Sequence, residues 1–170
     1  MGAMLEQGTK NRSALQISDD YLNIGAEHGA SANWDSTGAW MKVLSQHLDA
    51  GLDILADVVQ NPAFAPEEVE RVRAQRLAAI QQQLDSPQAL LMNSIVRTVY
   101  QRHPYGEPLI GTIESVKRIT PQAIRQYYQA TFTPRETVVV AVGDIQEQEL
   151  IAKLEKHFGQ WKRAGRAAPR

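Results

Sequence analysis

Four histidines, at positions 28, 47, 103 and 157, are the side chains of this 170-residue chain best suited to moving protons or binding metal near neutral pH. The segment Ile24-Gly25-Ala26-Glu27-His28 contains the x-x-E-H part of an inverted zinc-binding motif, but Ile24 stands where the first ligand belongs. Gly25 also breaks the helix that would set two ligands on one face. A chance Glu-His pair entering a strand is the better reading. His47 starts a helix with Asp49 and Asp53 nearby and reads as a solvated first turn. His103 lies in Arg102-His103-Pro104-Tyr105-Gly106, a loop that its Pro and Gly explain, so His103 and Tyr105 are expected to pack or cap. His157 is expected to face water from the last helix.

The remaining polar groups assemble no catalytic constellation. Glu67, Glu68 and Glu70 crowd the start of a helix, where the positive end of the backbone dipole accounts for them. Asp19 and Asp20 read as a solvated helix face. Arg71, Arg73 and Arg76 are spread around their helix by their spacing, which favours a solvated face over an anion site. Gly143-Asp144 resembles a phosphate-binding turn, but one glycine is weak support and the aspartate would repel a phosphate. Ser13, Ser31 and Ser36 lack the strand-turn-helix setting of an activated nucleophile.

Composition narrows the classes further. Without cysteine, thiol catalysis, disulfide frameworks and thiolate metal sites are excluded. That absence suits an oxidising or a reducing compartment, so location stays open, with a bacterial periplasm or another non-cytosolic site among the options. Eighteen basic against nineteen acidic residues leave a net charge of −1, which argues against a nucleic-acid partner. No apolar run approaches the roughly 20 residues that span a bilayer.

The elements that must position these groups are marked by their start signals. Ser13 with Gln16 forms a capping box ahead of Leu15, Ile17, Tyr21, Leu22 and Ile24 at helical spacing, with Gly25 as a stop. Ala30 to Trp34 and Thr37 to Leu44 read as a hairpin around Asp35-Ser36. A helix starts at His47 and stops before Pro62, and Pro66 followed by two glutamates starts another that runs towards Asp85. Ser86-Pro87 opens a third with Leu90, Leu91, Ile95 and Val99 on one face. Thr112 and Thr120-Pro121 open two short ones. Thr137 to Gly143 is a continuous β-branched run and reads as a buried strand. Asp144 with Glu147 is expected to cap a final helix carrying Leu150, Ile151, Leu154 and Phe158. Segregated strands and helices point to an α+β fold, helices packed on one face of a mainly antiparallel sheet, with some strands of that sheet missing on the N-terminal side.

Taken in order, several stretches resemble the insulinase/pitrilysin-type zinc peptidase family, with its mitochondrial processing peptidase relatives. Met4 to Ser13 is similar to the loop after that family's metal-binding helix. Leu52 to Asp57, Asn61 to Phe64, and Glu70-Arg71 leading to Asp85-Ser86-Pro87 resemble the next two helices. His103-Pro104-Tyr105-Gly106, Gly111 to Val116, Tyr127-Tyr128, Val138 to Asp144 and Trp161 follow in family order.

The resemblance implies zinc as the family cofactor, held by an H-x-x-E-H helix and a distal glutamate. The helix is expected just ahead of Met4, so this chain would contain no cofactor site of its own. The distal glutamate is expected in Arg76-Leu77-Ala78-Ala79-Ile80, where Ala79 stands at its position and cannot ligate. Met1-Gly2-Ala3-Met4 reads as the remnant of an expression tag. Residues 5–162 then form a partial peptidase-like domain without its N-terminal strands and metal helix, and 163–170 form a linker. The family binds peptides by adding them as a strand to a sheet edge, which implies substrate contacts at Ala32, Asn33 and Trp34. The hairpin here is about three residues shorter than the family pattern, and loop length sets register. Three functional expectations follow. The chain is a non-catalytic structural or peptide-clasping part beside an active domain or subunit; or it belongs to an active endopeptidase with H-x-x-E-H upstream; or it is an assembly scaffold that binds no peptide. A sheet cut at its edge would also make this chain associate with itself.

Overall fold

The computed structural model describes residues 1–161. Ser13 caps helix α1 (Ala14–Asn23) in both directions: its hydroxyl accepts from the Gln16 N–H, and the Gln16 side chain accepts from the Ser13 N–H. An antiparallel hairpin follows, β1 (Glu27–Ala32) and β2 (Thr37–Lys42), in a register that pairs Glu27 with Lys42 and Ala32 with Thr37. Six further α-helices follow among the described residues: α2 (Leu48–Gln60), α3 (Pro66–Leu84), α4 (Pro87–Tyr100), α5 (Ile113–Arg118), α6 (Pro121–Thr131) and α7 (Glu147–Phe158). Pro at the first turn of α3, α4 and α6 fits the start signals, as do the side-chain caps of Ser86, Thr112 and Thr120. The fold is α+β, with helices packed on one face of a small antiparallel sheet.

One apolar core joins the N-terminal segment to α6. Met4 and Leu5 from the N-terminal segment, Ile17 and Tyr21 of α1, Ile54 and Val58 of α2, Phe64, and Val69 of α3 meet Ile124 and Tyr128 of α6. Ala30, Ala39 and Met41 bring the inner face of the hairpin against it. Alternation along the strands leaves Trp40 half-exposed on the other face. The hairpin lands on Gly51 of α2, where an added Cβ would meet the Met41 sulfur at 2.7 Å and push that flexible side chain aside. Phe64 adopts a left-handed φ of 49°, unusual for a bulky residue. Its surroundings fix it: the ring packs edge-on against Tyr128 at 5.4 Å and the Arg125 guanidinium donates to its carbonyl at 3.1 Å.

Two expectations are corrected, the strand and the cap of the last helix. The Thr137 to Gly143 run does not form a strand, and it is not buried: Val138, Val140 and Val142 are 83%, 82% and 98% exposed. A β-branched run becomes a strand only beside a partner, and the described sheet has two strands that do not reach it. The start of α7 is capped by Gln146, without a side-chain hydrogen bond, and not by Asp144. The apolar face of α4 is also bare, with Leu91, Met92 and Val99 exposed and no residue of the helix buried. The stretch expected to be a linker, 163–170, lies outside the described residues.

Candidate functional site

The most elaborate polar site lies where the segment after the N-terminal turn crosses the end of α2, and its centre is the buried Asp57. Thr9 donates its hydroxyl to Asp57 at 2.6 Å and accepts from the backbone N–H groups of Asn11 and Arg12, which folds the loop on itself. The Asn11 amide donates to the other carboxylate oxygen at 2.6 Å, Asn61 adds a bond of 3.0 Å and Arg12 one of 2.9 Å. Burial alone would raise the Asp57 carboxyl, but these donors outweigh it and hold the group below its ordinary value. Arg12 reaches on with its other nitrogens to Asp20 of α1 at 3.0 Å and Asp53 of α2 at 2.6 Å. Each Asp57 oxygen accepts two bonds, one from Thr9 and Arg12 and the other from Asn11 and Asn61, so the cluster clamps the loop. In the sequence Asp57 appears only as the end of the Leu52 to Asp57 stretch of the resemblance, with no role of its own. Its signal was present as Asp53 and Asp57 four apart on a helix, opposite a loop holding Thr9, Asn11 and Arg12.

Upstream of the clamp, the short turn Gly2–Met4 sits between α3 and β1. Gly2 approaches the hairpin so closely that a Cβ would meet the Ser31 carbonyl carbon at 2.7 Å. The Met1 amino group is held below its ordinary value by burial and by the charge of Arg76 on α3. One turn further along α3, Ala79 is half-buried and Ala78 exposed. A zinc site does not fit there: this part of the helix presents a guanidinium and methyl groups, and a cation would be repelled by the first and unligated by the second. Among the described residues no group of three or more His, Cys, Asp or Glu side chains is placed to hold a metal ion.

The histidines are all engaged. His28 does not pair with its neighbour Glu27; its Nδ1 meets Glu6 at 2.6 Å while its ring stacks on Tyr21 at 4.1 Å. Burial, then the Glu6 charge, pushes the Tyr21 hydroxyl upward. His47 is half-buried beside Gln46, its Nε2 3.1 Å from the Gln46 amide. His103 caps and packs as expected, accepting from the Tyr105 N–H at 3.2 Å between the Tyr100 and Tyr105 rings. His157 does not face water. Its side chain is 7% exposed and lies 3.0 Å from Asp49. Arg73 also departs from the solvated reading: its guanidinium donates to the carbonyls of Val116, Lys117 and Ile119, closing the C-terminal end of α5.

The three residues expected to touch a peptide gather at the hairpin tip. Ala32 is the last residue of β1, while Asn33 and Trp34 lie in the turn. Asn33 spends its carbonyl oxygen on the turn, accepting from the N–H groups of Asp35 at 2.8 Å and Ser36 at 2.7 Å. Trp34 is half-exposed and donates its indole N–H to the Glu107 carbonyl at 3.3 Å. The Tyr105 hydroxyl donates to Asp35 at 2.5 Å, a bond that raises the phenol above its ordinary value. The tip is thereby tied to the loop between α4 and α5.

With this geometry in view, comparison with known proteins is decisive. Residues 1–113 match the model of insulinase, peptidase family M16, and residues 118–170 match that of the peptidase M16 inactive domain. The chain belongs to the insulinase family. It is 31% identical over 169 residues to an uncharacterized zinc protease of Mycobacterium leprae, an alignment that covers 98% of this chain and 38% of that one. Its fold matches a Helicobacter pylori protease with a TM-score of 0.92 at 24% identity, covering 99% of this chain and 41% of that one. A peptidase M16 inactive domain from Pseudomonas fluorescens matches with a TM-score of 0.90 at 23% identity, with coverage of 99% and 41%. The chain thus spans about two fifths of the length of these insulinase-family relatives. Zinc is the family's cofactor, as the Mycobacterium relative's name records.

Proposed function

We propose that the chain is a non-catalytic part of an insulinase-family protein, structural or peptide-clasping in role, that works beside an active domain or subunit. The observation that carries this reading is Ala79, with Arg76 one turn away, at the position where the family resemblance expects the distal zinc ligand. A methyl group contributes neither charge nor lone pair to a metal, and Ala78 beside it offers no substitute. The match of residues 118–170 to an inactive-domain model supports the same reading. The test is a zinc and cleavage assay on the family-length protein that contains this chain. The expected outcome is no stoichiometric zinc held by this domain and no peptide cleavage attributable to it. Bound zinc at one equivalent with cleavage would overturn the proposal and restore an active endopeptidase with H-x-x-E-H upstream.

A scaffold role without peptide binding is favoured by one observation, the commitment of the Asn33 side chain to its own turn. Hydrogen exchange separates the two roles. Added extended peptides protect the amides around Ala32, Asn33 and Trp34 if β1 accepts a strand, and leave them unchanged if the domain only assembles. The exposed Val138, Val140 and Val142 support self-association as well, because a bare β-branched segment is a template for another. Sedimentation at rising concentration is expected to show dimers or larger species, and a clean monomer would refute this.

A further inference from the structure

Two runs of backbone in this chain lack partners, and each supplies what the other needs. The Asn33 N–H donates to the Ser36 carbonyl at 2.8 Å, and the bonds of an antiparallel ladder fall on alternate pairs. β1 therefore bonds β2 through Glu27, Gly29 and Ser31, and turns the N–H and C=O of His28, Ala30 and Ala32 to its other edge. Among the described residues no backbone hydrogen bond reaches those outward groups. The N-terminal turn packs on the strand without closing that edge. A Cβ on Gly2 would lie 2.7 Å from the Ser31 carbonyl carbon and 2.9 Å from both the Ser31 oxygen and the Ala32 nitrogen, a position over the face of the peptide. The second run is Val138 to Val142, whose backbone makes no backbone hydrogen bond among the described residues and whose valines stand in the open. We propose that the open edge of β1 takes Val138 to Val142 of a second copy of this chain as an added antiparallel strand. This rests on the reading of β1 as a peptide clasp and names the peptide.

Charge selects this occupant over the obvious alternative, two Val138 to Val142 segments paired with each other. Arg135 and Glu136 flank the valines on one side and Asp144 on the other. Two such segments in antiparallel register set Glu136 against Asp144 at both ends, and in parallel register set each charge against its own copy. Like charges directly opposite destabilise a ladder. Against β1, a register that pairs Val140 with Ala30 sets no like charges opposite. Asp144 falls beside Ala26, and Arg135 arrives at the hairpin tip, which carries Asp35. The same register pairs Val138 with Ala32 and Val142 with His28, the residues whose backbone groups point outward. Val138, Val140 and Val142 then share a sheet face with Ala30 and Ala32, side chains small enough to admit a branched neighbour. The contact joins two different surfaces. Each copy keeps one edge and one segment free for the next, so association continues past the dimer unless a ring closes.

Sedimentation of two blocked variants of the full 170-residue chain tests this. Ala30→Pro removes an outward N–H that the bonds to β2 do not use, and so closes the edge. Val140→Lys spoils the segment. Each variant alone is expected to lose the association shown by the wild type. An equimolar mixture is expected to regain it and to stop at the dimer, because one good edge meets one good segment. A monomeric wild type, association that survives in Ala30→Pro, or a mixture of the two folded variants that stays monomeric would each overturn the proposal. A peptide of residues 135–144, added to the wild type, decides the matter should Ala30→Pro misfold. It is expected to break up the assemblies and to slow hydrogen exchange at the His28, Ala30 and Ala32 amides. Protection by unrelated extended peptides but not by this one would overturn the inference and leave the clasp standing. Protection by no peptide would remove both.

Discussion

Two regions of this chain carry apolar sequence of similar strength and come to opposite ends. Around Asp57, segments far apart in sequence close on one another: Leu5 and Val58 are fully buried, and Tyr128 of α6 donates its hydroxyl to the Val59 carbonyl at 2.6 Å. Along Val138 to Val142 and the outer face of α4, equally apolar residues lie in the open. The two regions differ in what covers them. The first is closed by segments of the chain itself. The second finds no cover among the described residues, in a chain that spans about two fifths of the length of its relatives.

Substitutions can break that contrast, and the largest effect is expected at the clamp. Asp57→Ala strands the donors of Thr9, Asn11, Arg12 and Asn61, and is expected to cost about 3–5 kcal/mol in urea unfolding. Its pH signature has a defined sign. The carboxyl is lowered in the folded state, so its contribution is present above about pH 4 and is lost as pH falls through the lower folded value. Acid titration of the wild type is expected to show that loss, and Asp57→Ala to lack it. Leu5→Ala, at a fully buried position, is expected to cost about 3 kcal/mol by the same measurement. Ser13→Ala removes one half of the capping box and is expected to cost about 1 kcal/mol, read as a lower thermal midpoint. At the far end of the scale, Val140→Lys is expected to change monomer stability by no more than about 0.5 kcal/mol while abolishing self-association in sedimentation. A loss of several kcal/mol at Val140 would show that the open region is packed after all and would erase the contrast.

The same contrast explains what could be read from the residues alone. Helix starts are local: Ser13 with Gln16, and the Pro that follows Ser86 or Thr120, contain their own partners within a turn and were legible. The hairpin was legible too, although its first strand begins at Glu27 and stops before Trp34 because Asn33 closes the turn early. Burial is not local. The Thr137 to Gly143 run has the composition of an interior strand, yet no strand among the described residues pairs with it and it lies exposed. His157 and Arg73 were read as solvated for the converse reason. Each meets groups about a hundred or forty residues away, Asp49 in one case and the carbonyls ending α5 in the other, and no spacing within their own helices announces them. The hairpin tip that the resemblance assigns to peptide contact was located, whereas its tether through Tyr105 to Asp35 depends on a separation of 70 residues and was not.

The reach of the Asp57 clamp also orders events while the chain is being made. Thr9, Asn11 and Arg12 leave the ribosome first, but the carboxylate they hold lies 45 to 48 residues later and Asn61 later still. Until α2 has emerged and closed, the clamp's donors lack their carboxylate, and Met4 and Leu5 lack Ile54 and Val58 to pack against. During those seconds of synthesis they share the exposure that Val138 to Val142 keep in the described fold.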